Sequence, residues 1–548
     1  VHALPFAQTL VLLLTLMLGL TALARRLDVP YPIMLVLGGL ALGFVPGLSA
    51  LALDPDLVFL LFLPPILWAA AFFTSVREFK QNLRPIGLLA FGLVFTTTVV
   101  VAVVARWLMP GLDWAPAFAL GAIVSPPDAV AATAIGRRLA MPRRVVAILE
   151  GESLVNDASA LVIYRSAIAA TVTGAFALGA ALIDFFYAGV VGVLLGVAVA
   201  WLCRKALALT DDSFVEITLT LLAPYIAWVT AEQLDASAVL ACVTGGLVLR
   251  WRYSSISSPA SRLEAKAVWD QLVFLLNGTI FILIGLELGV LRRDIPDGAV
   301  GTVIWHALAI SLTAILVRLI WVPFATWLPR AIIPGMATKD PLPPKKGIFL
   351  VSWIGMRGIV SLAAALSLPL TVQSGQPFPF RTEIILITFG VILVTLVAQG
   401  LSLVPIVRWL GFQPETDLEE EEHNARHQAT MAGLLKLERL AATGATPPVH
   451  TERLRIYYQT QQQRWQPHDH ETHEQAEREA VAFQRLRLET IEAERRALIE
   501  LRDRGEIGDD TLLRLENELD LTAIRLGGGE RKGTRDKNIK KGAGVTHF

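Results

Sequence analysis

The chain has 548 residues, 54% of them hydrophobic and only 18% charged, with a mean hydropathy of +0.55, a mixture that excludes an ordinary soluble domain and points to a membrane protein. Lys plus Arg and Asp plus Glu balance at 48 each, so no bulk field recruits nucleic acid or an acidic partner. Cys203 and Cys242 lie in or beside apolar runs without disulfide or CxxC spacing, which argues against redox chemistry.

A bilayer core asks for about 20 apolar residues per spanning helix. Residues 1–411 supply thirteen such stretches, at 6–24, 31–48, 57–74, 85–106, 114–136, 145–170, 180–203, 213–231, 236–250, 268–290, 300–328, 347–369 and 382–410. The first is read as a retained span rather than a signal peptide. Ala22, Leu23 and Ala24 look like a cleavage site, but no basic residue precedes the apolar run, and Arg25 and Arg26 follow it.

The fifth stretch carries Ser125, Pro126, Pro127 and Asp128 inside an apolar run. Two consecutive prolines remove two backbone donors and clash with the preceding turn, so the spacing predicts a helix break with Asp128 at it. In the sixth stretch Ser153, Asn156 and Asp157 stand at i, i+3 and i+4, which puts them on one helical face at mid-membrane depth. Glu152 lies one turn before Asn156 on the same polar stripe. A buried carboxylate there needs a cation, and the twelfth stretch offers Arg357 between Gly355 and Gly358. The expected structural ion pair is therefore Glu152 with Arg357, beside a second break at Gly355 and Gly358. Interrupted, charged segments in corresponding positions of two halves point to an inverted-repeat transporter with its site at the midplane. Arg165, close to the outer face, is read as snorkelling, and Arg318, His306 and Asn277 are assigned structural roles outside the ion path.

Lys and Arg concentrate in the odd-numbered loops, for example Arg137, Arg138, Arg143 and Arg144, whereas even-numbered loops hold few. Cationic loops stay cytoplasmic during insertion, which places the N-terminus outside and the C-terminus in the cytoplasm. After Gly411 the composition changes: Asp417 to Glu422 opens a segment rich in Glu, Arg and Gln. Residues 1–411 are read as the transmembrane domain, 412–526 as a cytoplasmic helical tail and 527–548 as a disordered C-terminus. Leu486, Ile491, Leu498 and Leu501, then Gly505 and Gly508, then Leu512, Leu515 and Leu519 predict a helical hairpin in the tail. His468, His470 and His473 lack a nearby Cys or second cluster and are read as a polar loop rather than a metal site.

These motifs resemble the bacterial sodium/proton antiporters of the cation:proton antiporter-1 family, the group that includes the animal sodium/proton exchangers. The resemblance covers most of residues 10–410 and rests on Tyr31 to Gly39, Phe62 to Ile66, Ser125 to Asp128, Gly151 to Asp157 and Gly355 to Gly358. It implies an all-α polytopic fold of about thirteen helices, an inverted repeat with two broken crossing helices, and a homodimer. It also implies that Asp157 is the acid that exchanges Na+ and H+, with Asp128, Ser153 and Asn156 as further site residues. Asp157 and Asp128 would hold the transported Na+, and Glu152 and Arg357 would tie the sixth helix to the broken twelfth. Two departures stand out: Pro127 occupies the usual Thr position at the first break, and Ala69 occupies a position where many members place an acid.

The function expected is secondary antiport in a bacterial inner membrane, Na+ or Li+ against H+, electroneutral, by competition at a buried aspartate and without a cofactor. A K+/H+ antiporter on the same scaffold stays open, because carboxylate and carbonyl oxygens serve both ions. A cation channel would need a ring or filter motif, and none is evident; nor is there a nucleophile–His–acid set or phosphate loop for an enzyme.

Overall fold

The computed structural model describes residues 6–27, 29–44, 58–128, 141–291, 300–335, 338, 340–412, 416–443, 447–464 and 470–525. Among them no strand forms, only an isolated bridge between Thr371 and Pro377. The chain divides into two compact units, Val1–Pro414 and Glu415–Phe548.

The first unit is a bundle of α1 (Phe6–Leu27), α2 (Tyr31–Gly43), α3 (Leu63–Phe73, preceded by a π turn at Val58–Phe62), the short α4 (Val76–Gln81), α5 (Leu83–Leu108) and α6 (Trp114–Val124). It continues through α7 (Arg143–Thr173), α8 (Leu178–Leu207), α9 (Ser213–Gln233), α10 (Ala238–Ile256), α11 (Pro259–Leu291), α12 (Val300–Ile332), α13 (Lys345–Trp353), α14 (Ile359–Leu366) and α15 (Arg381–Leu410). Six of these, α5, α8, α9, α11 within Ser261–Glu287, α12 and α15, are long and apolar enough to cross a membrane. Helix α7 is long but carries Arg143, Arg144, Glu150, Glu152, Asp157 and Arg165 along its 31 residues.

Local chemistry sets several boundaries. Ser75 accepts from the Glu78 amide at 3.3 Å and starts α4, Asp212 accepts from Phe214 at 2.8 Å and starts α9, and Ser237 accepts from Leu240 at 3.2 Å and starts α10. Gly174 and Gly411 end α7 and α15 with φ of +73° and +59°, a conformation that glycine adopts without a Cβ penalty. Within its described residues, 114–128, the fifth predicted stretch is helical to Val124 and leaves the helix at the prolines, and 129–140 lie outside the described residues. The twelfth leaves the helix between Ile354 and Gly358.

Small residues let the helices approach. A Cβ on Gly39 would overlap the Ile282 carbonyl, and one on Gly285 the Val36 carbonyl, so α2 and α11 pack backbone to backbone. Two apolar clusters fill the unit. One includes Leu149 and Tyr164 of α7 with Leu362 and Ala364 of α14; the other includes Leu154 and Ala158 of α7 with Ile359 and Ala363 of α14. Helices α7 and α14 therefore run along the seam between the clusters.

The second unit contains α16 (Thr416–Ala442), α17 (Pro448–Arg464), α18 (His470–Asp503) and α19 (Asp509–Arg525). Helices α18 and α19 pair across Gly505 and bury Ile491 and Leu512 of the tail pattern, whereas Leu486, also part of that pattern, is 64% exposed. His470 and His473 stand on α18 rather than in a loop, and His468 lies outside the described residues.

Candidate functional site

The two interruptions meet. The Asp128 amide donates to the Met356 carbonyl at 2.6 Å, so the strand-like exits from α6 and α13 share a backbone hydrogen bond. A Cβ on Gly358 would overlap the Asp128 carboxylate, so only glycine permits this approach. An interrupted helix leaves carbonyls and amides that bulk lipid cannot satisfy, and neighbouring side chains take them up here. Asn156 Nδ2 on α7 donates to the Pro127 carbonyl at 2.8 Å, and Arg357 Nε donates to the Val124 carbonyl at 2.9 Å. Gln399 Nε2 on α15 donates to the Trp353 carbonyl at 2.9 Å, and Thr395 Oγ1 accepts from the Arg357 amide at 3.1 Å. The guanidinium thus sits at the C-terminal, negative end of α6, while the Asp128 carboxylate sits at the N-terminal, positive end of α14, as helix dipoles favour.

Beside this junction is a cavity of about 270 Å³ lined by Pro126, Pro127, Asp128, Ser153, Asp157 and Gly358. Asp157 is only 6% exposed, and among the described residues it has neither a hydrogen bond nor an ion pair. The charged neighbour it feels is Asp128, a like charge. Ser153 and Asp128 are half-buried on the same cavity. Asn156 is fully buried and braces the junction from behind. Leu63, Ile66, Leu67 and Ala69 of α3 add an apolar stretch to the lining, so position 69 brings no charge. Glu150, Lys266 and Asp270 also line the cavity, with Lys266 and Asp270 paired at 2.7 Å. A second cavity, about 750 Å³, lies farther along α7 and is lined by Ala158, Tyr164, Arg165, Asp184, Glu232 and Asp235. The Tyr164 hydroxyl bridges α7 to the end of α14, 2.7 Å from the Ala364 carbonyl and 2.8 Å from Ser367 Oγ.

The expected pair of Glu152 with Arg357 is corrected. Glu152 is held bidentately by Arg318 of α12, Nη1 to Oε1 at 2.5 Å and Nη2 to Oε2 at 2.7 Å, with both side chains 1% exposed. Arg318 Nε also donates to the Val351 carbonyl near the end of α13, at 3.1 Å. Arg357 instead donates to the carbonyls of Val124 and Gly355. The reason is local. The turn at Gly355 places the two guanidinium side chains close together, since a Cβ there would meet Arg318 Cδ at 2.8 Å and Arg357 Nη1 at 3.0 Å. One arginine then serves the carboxylate and the other the orphaned carbonyls. A guanidinium in the middle of a 33-residue apolar helix, whose other arginine, Arg330, stands in the last turn, was the sequence signal for Arg318, and its missing partner had to lie on another helix.

Residues 12–409 match the family described as "Sodium/hydrogen exchanger, transmembrane". An uncharacterised Na+/H+ exchanger of Mycobacterium bovis is 34% identical over 512 residues, covering 92% of this chain and 93% of that protein. The sodium, potassium, lithium and rubidium/H+ antiporter of Bacillus subtilis is 32% identical over 518 residues, covering 90% of this chain and 74% of that one. In structure the chain is similar to the sodium proton antiporter MjNhaP1 of Methanocaldococcus jannaschii, with a TM-score of 0.54 over 74% of this chain and 99% of that one. At 17% identity this is a likeness of fold.

Proposed function

The chain belongs to the sodium/hydrogen exchanger family of transmembrane antiporters, and from that premise we propose that it exchanges Na+ for H+ by competition at Asp157. The observation that carries this reading is the solitary burial of Asp157 on a cavity wall. An ionised carboxylate removed from water costs several kcal/mol unless a cation neutralises it. With no arginine or lysine bonded to it, the neutralising partner is a proton or a metal cation taken from the cavity, and one excludes the other. Exchange follows from that exclusion. Asp128 and Ser153 border the same cavity and act as further oxygen ligands, while Asn156 keeps the junction in place.

Because Glu152 is already neutralised by Arg318, it takes no part in the charge cycle, and one proton exchanges for one Na+ or Li+ without net charge movement. Alternating access comes from motion along the seam at which α7 and α14 lie. Asp157 borders one cavity and Ala158, the next residue, borders another, which supports access from two sides. The reading includes thirteen spans over residues 1–411 as an inverted repeat with two crossing broken helices. It also includes a homodimer in the bacterial inner membrane with its N-terminus outside and the 412–526 tail in the cytoplasm. K+ is the second candidate cation, because the name of the Bacillus subtilis relative includes potassium.

The test is collapse of a preset pH gradient in proteoliposomes by Na+, Li+ or K+, for the native chain and for Asp157→Asn. Collapse that vanishes in Asp157→Asn supports exchange at this carboxylate and identifies the ion. Undiminished exchange in the variant removes Asp157 from the mechanism.

A further inference from the structure

Two oxygens in the cavity wall have no role in the account so far. Asn277 of α11 and Ser361 of α14 both line the same cavity as Asp157, and each is 2% exposed. Neither Asn277 Oδ1 nor Ser361 Oγ has a hydrogen-bond partner among the described residues. A buried acceptor left without a donor costs about 1–3 kcal/mol, so such atoms persist where something else pairs with them. Both atoms are oxygens of residues that line a space large enough for water or a dehydrated ion, although each atom itself exposes less than 1 Å². Trp269, Val273 and Asn277 follow one another at i, i+4 and i+8 along α11, and all three line the cavity, so Asn277 lies on the helix face turned toward it. Ser361 is in the first turn of α14, immediately after the junction at Gly358.

We propose that Asn277 Oδ1 and Ser361 Oγ are ligands of the transported cation, which they meet on rotation of their side chains or through one water, in the cavity that Asp157 also lines. The assignment rests on the reading of this cavity as the exchange site. It accounts for how a hard cation finds enough oxygens in a cavity whose lining along α3, including Ala69, is apolar. Neutral ligands add no charge to the site, so they raise cation affinity without adding a titrating group and leave the one-for-one exchange intact. A shell of one carboxylate and several neutral dipoles also has a softer field than a pair of carboxylates. Such a shell discriminates less steeply among Li+, Na+ and K+.

The experiment compares the native chain with Asn277→Ala, Ser361→Ala and Ser361→Thr in proteoliposomes, titrating Na+, Li+ and K+ at fixed pH and then pH at a series of cation concentrations. Loss of one ligand should raise the half-saturating cation concentration about tenfold, with an unchanged proton midpoint on extrapolation to zero cation, and Ser361→Thr should restore the native value. In detergent, the rise in unfolding temperature that Na+ produces should shrink in the two alanine variants, an independent readout of binding. Native cation half-saturation in both alanine variants, or a proton midpoint that still shifts at zero cation, overturns the assignment. If Asp157→Asn abolishes exchange while both alanine variants behave as native, the functional reading stands and this assignment falls. If the native chain exchanges no cation, both fall together.

Discussion

Removing one partner of the Glu152–Arg318 pair should be far more costly than removing both. Each side chain is 1% exposed, and the carboxylate is gripped at 2.5 and 2.7 Å. Arg318→Met strands a buried carboxylate, with an expected loss of about 3–5 kcal/mol. It also leaves the Val351 carbonyl without its 3.1 Å donor, which adds about 1–3 kcal/mol. Glu152→Leu strands the guanidinium instead and should cost about 3–5 kcal/mol. The double variant Glu152→Leu with Arg318→Met buries no charge, so most of the loss should return and only the Val351 carbonyl remains unserved. A double-mutant cycle on thermal unfolding in detergent, at one scan rate, measures this coupling. A parallel cycle of Glu152→Gln with Arg357→Gln should show weak coupling, because Arg357 serves backbone carbonyls. Additive losses for Glu152 and Arg318, or stronger coupling of Glu152 to Arg357, would refute the assignment of the pair.

Gly358→Ala should abolish exchange, because the added methyl occupies the space of the Asp128 carboxylate and forces the two interrupted segments apart; pH-gradient collapse at native expression level checks it. Asn156→Ala should cost about 1–2 kcal/mol through the lost 2.8 Å bond to the Pro127 carbonyl, read as a lowered unfolding temperature. At the loop before α13, burial works to raise the Asp340 carboxyl, but Arg144 at 2.8 Å and Arg330 at 2.6 Å outweigh it and hold the group below its ordinary value. A depressed folded value contributes stability that is present above the unfolded value, about 3.9, and lost as pH falls through the folded one. Asp340→Asn should therefore lower the unfolding temperature by a constant amount from pH 5 to 8, with the gap to the native chain closing only below about pH 4. A gap that changed near neutrality would contradict this clamp of Arg84, Arg144 and Arg330 on one aspartate.

The sequence carries the breaks plainly because their causes are local: Pro126 and Pro127 cannot continue a helix, and Gly355 and Gly358 flank a charge. Asp157 was legible for the same reason, as an acid on a polar face, with Ser153 and Asn156, of an otherwise apolar span. Which arginine answers Glu152 was not, since Arg318 and Arg357 lie on different helices and only packing across the turn at Gly355 decides between them. Asn277 was legible as a polar residue in a span, but nothing in its own helix says that it faces the same cavity as α7. Ser361 is one small hydroxyl in an alanine-rich stretch, where serine ordinarily serves close helix packing. Both depend on distances across the bundle that hydropathy does not encode.

The contact between the interrupted segments is made by an amide of Asp128 and a carbonyl of Met356, atoms that every residue type other than proline provides. That bond asks nothing of the side chains at 128 and 356, whereas position 358 has to stay glycine. Positions 277 and 361 take no part in the joint, so on the proposed assignment they are where preference for ion radius would change with the joint kept.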